Sequence, residues 1–161
     1  ERREVNVQAT PAQVYTIFSG LGGERGWLTL NVAWQLRGAL DRLVGGVGMR
    51  RGRRHPDELR VGDAVDFWRV EAVQPDSLLR LRAEMKVPGK AWLQFEAIPI
   101  DASRTRLVQK AFFAPKGLFG WLYWYLLYPI HGYIFQGMVQ RIGQRAEELA
   151  LAAAASPQPQ S

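Results

Sequence analysis

Residues 116–149 constrain the fold of this chain more than any other part of the sequence. Aromatic residues crowd the first half of this stretch, whereas the second half is amphipathic. Its apolar stripe consists of Ile134, Met138, Ile142 and Leu149. Spacings of four and seven residues predict a long helix with one buried face. The preceding chain must supply the surface that covers that face.

The residues before this helix alternate between apolar and polar in four segments, which is the pattern of strands with one buried face. The predicted strands are residues 63–73, 77–87, 91–98 and 104–114. Turn residues such as Pro88-Gly89 separate neighbouring segments. The pattern therefore predicts an antiparallel meander with one dry and one wet face.

A short strand and two smaller helices are predicted near the N-terminus. Residues 3–8 alternate as a strand, and Thr10-Pro11 combines a capping side chain with a proline at the first helical position. Residues 31–44 show a second amphipathic pattern, which Gly45-Gly46 ends. The predicted class is α+β, with one domain over residues 1–150 and a disordered tail over residues 151–161.

Composition narrows the chemistry. The 161 residues contain no cysteine and two histidines, so neither disulfides nor a protein-built metal site is expected, and nothing indicates a cofactor. No signal-peptide pattern opens the chain, so we expect a cytoplasmic protein. Because the sequence begins inside a strand pattern, we also expect that a fusion partner or leader preceded it.

The net charge of +6 is concentrated in one arginine cluster that consists of Arg50, Arg51, Arg53 and Arg54. Such a cluster is typical of a solvated loop, and it is also compatible with an anion-binding loop. Basic clusters also occur in nucleic-acid-binding proteins. No nucleic-acid-binding motif accompanies this one, and most aromatic residues lie in apolar runs, so the sequence argues against nucleic acid.

The order of elements resembles the helix-grip superfamily (SRPBCC), which includes START lipid-transfer domains, plant pollen-allergen proteins and polyketide cyclases. Within it, residues 1–150 are similar to a bacterial family of unknown function. The shared motifs are GGERGW at 22–27, DRLVGGVG at 41–48, RRGRRHP at 50–56, VGD at 61–63, DFWRV at 66–70 and LYWYLLYP at 122–129. The resemblance implies a curved antiparallel sheet wrapped around the C-terminal helix. It also implies an NAD(P)-binding, epimerase-like domain in the same longer protein.

In that fold, the gap between sheet and helix is a pocket for a small molecule. The candidate ligand-binding residues are Trp27, Asp66, Trp68, Gln109, Tyr125, Tyr128 and His131. Strand parity places Asp66 and Gln109 on the dry face. Asp66 near a strand end also has access to water, Gln109 is also suited to a backbone hydrogen bond, and His131 is also suited to a packed core position.

Three functions follow from this pocket. The first is binding or transfer of a hydrophobic small molecule that is lipid- or polyketide-like. The second is a cyclase or dehydratase-like reaction with Asp66 and His131 as acid and base, which requires the two side chains to converge. The third is an accessory domain that docks to an oxidoreductase-like partner, which a large exposed apolar patch would favour.

Residues 118–135 contain no charged side chain if His131 is neutral. This run allows core packing, peripheral membrane contact or a membrane span. Pro129, the glycines Gly120 and Gly132, and the need to cover the sheet argue against a span.

Overall fold

The structure, a computed structural model, describes residues 1–28, 39, 43, 45 and 52–155. The predicted second helix lies almost entirely outside the described residues, and so do Arg50 and Arg51.

Six antiparallel strands form one curved sheet in the order β1-β6-β5-β4-β3-β2. The strands are β1 (Arg2–Val7), β2 (Ala64–Val65), β3 (Trp68–Gln74), β4 (Leu78–Ala83), β5 (Gly89–Pro99) and β6 (Thr105–Pro115). In the described ranges 1–28 and 52–155, the α-helices α1 (Pro11–Ser19) and α2 (Gly117–Ala155) pack on this sheet. The α+β helix-grip arrangement is therefore confirmed, with a long C-terminal helix against a curved antiparallel sheet.

The start of α1 follows directly from its first residues. The backbone N–H of Gln13 donates to Oγ1 of Thr10, and the backbone N–H of Thr10 donates to Oε1 of Gln13. This reciprocal pair satisfies amide groups that the first turn of a helix leaves open. Phe18 of this helix then stacks on Phe95 of β5, with ring centroids 5.6 Å apart.

The inward positions predicted on the strands are buried. They include Trp68, Val70, Leu79, Leu81, Leu93, Phe95, Ala97, Leu107 and Ala111. Burial on one side of every strand gives the sheet a single apolar face, against which α1 and α2 pack.

Helix α2 differs from its prediction at its C-terminal end. Ile134, Met138 and Ile142 are buried as expected, but Leu149 is 37% exposed, because the helix has passed the sheet there. The helix continues to Ala155 through part of the predicted tail. Alanine has the highest helix propensity of the amino acids, which favours this extension.

Two strand predictions need correction. The segment 63–73 is not one strand, because Asp66 and Phe67 form a tight turn between β2 and β3, and Asp66 has φ 52°. The segment 77–87 is a strand only to Ala83. Beyond that point the backbone N–H of Glu84 donates to the carbonyl of Phe67, and the chain bends toward the start of α2.

Candidate functional site

A cavity of about 330 Å³ lies between the sheet and the first half of α2. The sheet side comprises Trp68, Ala83, Met85, Val87, Ala91, Trp92, Ala111, Phe112 and Phe113. The helix side comprises Tyr123, Trp124, Leu127, Ile130, His131, Ile134 and Phe135. The size is within the range of small-molecule sites in proteins.

The wall of this cavity is apolar and uncharged. None of the described residues that line it is Asp, Glu, Lys or Arg. Polar side-chain atoms on the lining residues belong to Trp68, Tyr123, Trp124 and His131, together with Trp92, whose Nε1–H donates to Glu71 instead. A charged group placed here would lose its water without gaining a counter-ion from the described lining residues, so this environment disfavours charge.

Aromatic rings form much of the helix side of the cavity. Phe113 and Trp124 are stacked with centroids 5.2 Å apart and an interplanar angle of 9°. His131 stacks on Phe135 with centroids 5.5 Å apart. Such pairs stabilise one another beyond the area that they bury, so these rings hold a defined surface.

Trp68 is the most distinctive residue at the wall. It is only 4% exposed, and its Nε1 is buried with no acceptor among the described residues. Its ring contacts Trp27 at a centroid distance of 6.1 Å and Phe67 at 5.4 Å. These neighbours fix the indole, so its N–H cannot easily turn toward another acceptor.

Asp66 and Trp27 lie behind Trp68 and do not line the cavity. Oδ2 of Asp66 accepts hydrogen bonds from Nε1 of Trp27 at 2.9 Å and from the backbone N–H of Gly23 at 3.1 Å. Asp66 is therefore buried with partners rather than open to water. Its carboxylate supports the cavity wall through Trp27.

Gln109 is buried behind Ala111 on the inner face of β6, and it too is absent from the cavity wall. Neither Oε1 nor Nε2 of its amide has a hydrogen-bond partner among the described residues. The backbone hydrogen bond considered for it is therefore not formed within the described part of the chain. A buried amide without partners destabilises the fold unless water or a ligand reaches it.

On α2 the structure brings His131 to the cavity, but it leaves Tyr125 and Tyr128 on the outside, 68% and 50% exposed. The helix lining residues that were not among the candidate ligand-binding residues are Tyr123, Trp124, Leu127, Ile130, Ile134 and Phe135. Their signal was present: the stripe of Ile134, Met138 and Ile142 continues backwards at helical spacing through 131, 127 and 124.

The opposite side of α2 carries an outer aromatic face, whose members are 50% to 82% exposed. It consists of Leu118, Phe119, Trp121, Leu122, Tyr125, Leu126, Tyr128 and Tyr133. Contiguous exposed apolar surface of this kind marks a contact site. Within the described residues, neither helix has both the length and the apolarity that crossing a membrane requires.

The two described arginines of the cluster both contact protein groups. Nη1 of Arg53 donates to the carbonyls of Ser19 and Leu21, each at 2.7 Å, and burial lowers the pKa of this guanidinium. Arg54 forms two hydrogen bonds with the carboxylate of Asp63 at 3.0 and 3.1 Å. These contacts tie the segment to the rest of the fold, and anion binding by the cluster stays a prediction.

Comparison with known proteins gives a family and a set of structures with the same fold. Residues 1–138 match the family described as "Protein of unknown function (DUF2867)". No functionally curated protein matches the chain in sequence. The three solved structures described next are each no more than 15% identical to the chain, so they show the fold alone.

A Thalictrum flavum norcoclaurine synthase mutant in complex with a transition-state analogue is 12% identical over 93% of this chain and 94% of its own, with a TM-score of 0.57. The Zhui aromatase/cyclase from Streptomyces sp. R1128 is 15% identical over 97% and 98%, with a TM-score of 0.57. A START superfamily protein from Mycobacterium smegmatis is 13% identical over 92% and 97%, with a TM-score of 0.53.

Proposed function

The chain belongs to the family of unknown function DUF2867, and because that description assigns no activity, we propose from the site itself that it binds an uncharged hydrophobic small molecule between the sheet and α2. The observation that carries this proposal is the cavity of about 330 Å³, whose wall is apolar and has no Asp, Glu, Lys or Arg among the described residues. Each 100 Å² of apolar ligand surface buried there would contribute about 2.5 kcal/mol to binding.

Proteins of the same fold support this proposal at a coarse level. A START superfamily protein, an aromatase/cyclase and norcoclaurine synthase, the last with a transition-state analogue bound, share the sheet and long helix of this chain. Their names point to small organic molecules. The class of ligand proposed for this chain is inferred from the residues that line its own cavity.

The geometry favours binding over a cyclase-like reaction. That reaction was predicted to use Asp66 with His131, but only His131 lines the cavity, and Oδ2 of Asp66 accepts from Trp27 and Gly23. No Asp or Glu is present among the described lining residues to act with His131. A general acid–base pair needs both groups within reach of one substrate atom.

Filling the cavity tests the proposal. Ala91 lines the cavity and pairs with Phe113 across the two strands. Ala114 is the residue after Phe113, and it is exposed. We expect the Ala91→Phe variant to bind the uncharged fluorescent probe N-phenyl-1-naphthylamine at least tenfold more weakly, and Ala114→Phe to bind it as the wild type does. No probe binding by the wild type, or equal binding by Ala91→Phe, would overturn the proposal.

A separate observation favours a second role, in which the outer aromatic face docks on an anionic membrane surface. The sequence contains no Asp or Glu between Asp101 and Glu147, so the face lies in a stretch without carboxylates. Exposed Lys90 and Lys116 flank the start of α2, where the backbone N–H of Lys116 donates to Pro88. Exposed Trp and Tyr side chains suit the membrane interface, and lysines are attracted to anionic lipid.

Co-sedimentation with vesicles tests this second role. We expect binding to phosphatidylcholine vesicles that contain about a third phosphatidylglycerol, and weaker binding without it or at high salt. The double variant Leu118→Gln/Phe119→Gln should lose most of the bound fraction, and Leu151→Gln, at the other end of the helix, should keep it. Equal binding by the double variant contradicts the role. If the protein instead dimerises or binds an NAD(P)-binding domain through this face, the face is a protein interface. That outcome would favour the predicted accessory-domain role over membrane docking.

A further inference from the structure

Trp68 constrains the ligand further than the apolar wall does. The indole N–H is a donor only, and buried indole N–H groups normally have an acceptor. Here Nε1 is buried without one among the described residues, although Trp68 lines the cavity. The carboxylate of the preceding hairpin residue, Asp66, already accepts from Trp27 and Gly23 through Oδ2. Nε1–H of Trp68 is therefore a buried donor, on a residue of the cavity wall, that has no acceptor among the described residues.

The acceptor that fits this donor is neutral. A carboxylate or phosphate would need a cation, and the described wall contains neither Lys nor Arg. A carbonyl oxygen accepts without donating, so it leaves no proton of its own to be satisfied in an apolar site.

The skeleton that carries this acceptor follows from the ring surfaces around it. Phe113 and Trp124 lie nearly parallel, and His131 and Phe135 are stacked beside them. Flat rings gain more from such surfaces than a flexible chain, because aromatic pairs add to the energy of area burial and a rigid ligand loses less freedom.

We propose that the cavity binds a flat, uncharged aromatic carbonyl compound whose oxygen accepts a hydrogen bond from Nε1–H of Trp68. This inference rests on the proposed function, since it names the class of ligand for the same cavity. Trp68 then determines specificity, and the aromatic wall supplies most of the affinity.

A matched pair of probes isolates the hydrogen bond. 9-Fluorenone and fluorene have the same three-ring skeleton, and only fluorenone carries a carbonyl oxygen. We expect the wild type to bind fluorenone about fivefold more tightly than fluorene in equilibrium dialysis, as one net hydrogen bond provides. In Trp68→Phe this preference should disappear, whereas fluorene affinity reports any effect of the smaller ring. Trp121→Phe is the control, because Trp121 is 52% exposed and does not line the cavity.

Nuclear magnetic resonance gives a second readout of the same contact. The protein has six tryptophans, so the indole region of a ¹H–¹⁵N spectrum has few signals, and Trp68→Phe identifies the one from Trp68. Fluorenone should shift that signal downfield, and fluorene should leave it nearly in place. If both probes bind equally and the signal responds alike to each, the carbonyl inference is overturned while the cavity function stands. If neither probe binds, both the inference and the proposed function are overturned.

Discussion

Nε1–H of Trp27 donates a 2.9 Å hydrogen bond to Oδ2 of Asp66, and this contact joins two parts of the chain that are 39 residues apart. The bond is buried, since Trp27 is fully buried and Asp66 is 3% exposed. Around it gather three of the sequence motifs that carry the family resemblance, namely residues 22–27, Arg53 from the arginine cluster, and residues 66–70. These motifs therefore contribute Trp68 to the cavity wall and place Trp27 and Asp66 behind it as support.

Removing the carboxylate of Asp66 should destabilise the protein. Asp66→Ala leaves the indole N–H of Trp27 and the amide of Gly23 without their acceptor, at a cost of roughly 1 to 3 kcal/mol for each buried donor. Asp76→Ala is the matched control, because Asp76 also has a positive φ, of 58°, but is exposed. Urea unfolding should show Asp66→Ala to be about 2 to 5 kcal/mol less stable than Asp76→Ala. Equal stabilities would contradict a supporting role for the carboxylate.

Gly22 should not tolerate a side chain. Its φ is +82°, and a Cβ atom there would lie 2.5 Å from Cγ1 of Val65 and 3.0 Å from Oδ2 of Asp66. Gly62 has a similar φ of +92° with no atom within 4 Å of the corresponding Cβ, so Gly62→Ala measures conformational strain alone. Gly22→Ala should lose about 1 to 3 kcal/mol more than Gly62→Ala in thermal or urea unfolding. The same loss in both variants would show that the loop relaxes away from β2.

Gln109 should be replaceable at a gain in stability. Gln109→Met keeps the shape of the side chain and removes a buried amide without partners among the described residues. We expect the free energy of unfolding of the ligand-free protein to rise by about 1 to 3 kcal/mol. Gln94→Met should do the opposite, because Oε1 of Gln94 accepts from Nε of Arg80 at 2.6 Å. A loss of stability in Gln109→Met would show that water or a ligand holds the amide.

Glu96 should make stability depend on pH in the acid range. Burial opposes its ionisation, but hydrogen bonds from Lys110 and Gln94 outweigh that effect and hold the pKa of Glu96 below its ordinary value. Because the pKa is lower in the folded state, this contribution is complete above about pH 4.3, the ordinary pKa of glutamate, and is lost as the pH falls through the folded pKa.

Urea unfolding at pH 6 and pH 3 measures this contribution. The wild type should lose more stability between the two pH values than Glu96→Gln does. Glu58→Gln, at an exposed pair with Arg60, should follow the wild type. Identical losses in the wild type and Glu96→Gln would show that the pair with Lys110 contributes nothing.

The sequence predicted the sheet well because strand parity depends only on alternation along the chain. Leu93, Phe95 and Leu107 are buried where alternation placed them. Asp66 is buried as parity predicted, but it does not line the cavity, because the strand is interrupted by the turn at Asp66 and Phe67. A turn with a positive φ is usually indicated by glycine in the sequence. Here an aspartate adopts the positive φ, so the sequence did not indicate the turn.

The helix side of the cavity was harder to predict because aromatic residues occupy nearly every face of residues 118–135. Composition cannot then say which ring meets the sheet, and Tyr125 and Tyr128 were chosen although they lie outside. The rotation of the helix about its axis decides which rings face the sheet. In the sequence, that rotation can be inferred only from the amphipathic second half of the helix. The missing acceptor of Trp68 has no signal in the sequence, since it depends on what the neighbouring side chains already bind.

Pro129 lies within α2 among the residues that line the cavity, since Trp124 and Leu127 precede it and His131 and Ile134 follow it. Proline has no N–H, so the carbonyl of Tyr125 lacks its usual partner and the helix is easier to bend at this point than elsewhere. The C-terminal part of the helix is held in place by packing, because Met138 and Ile142 are fully buried. A small tilt of the part of α2 that precedes Pro129 would therefore widen the proposed cavity while Met138 and Ile142 stay packed in the core.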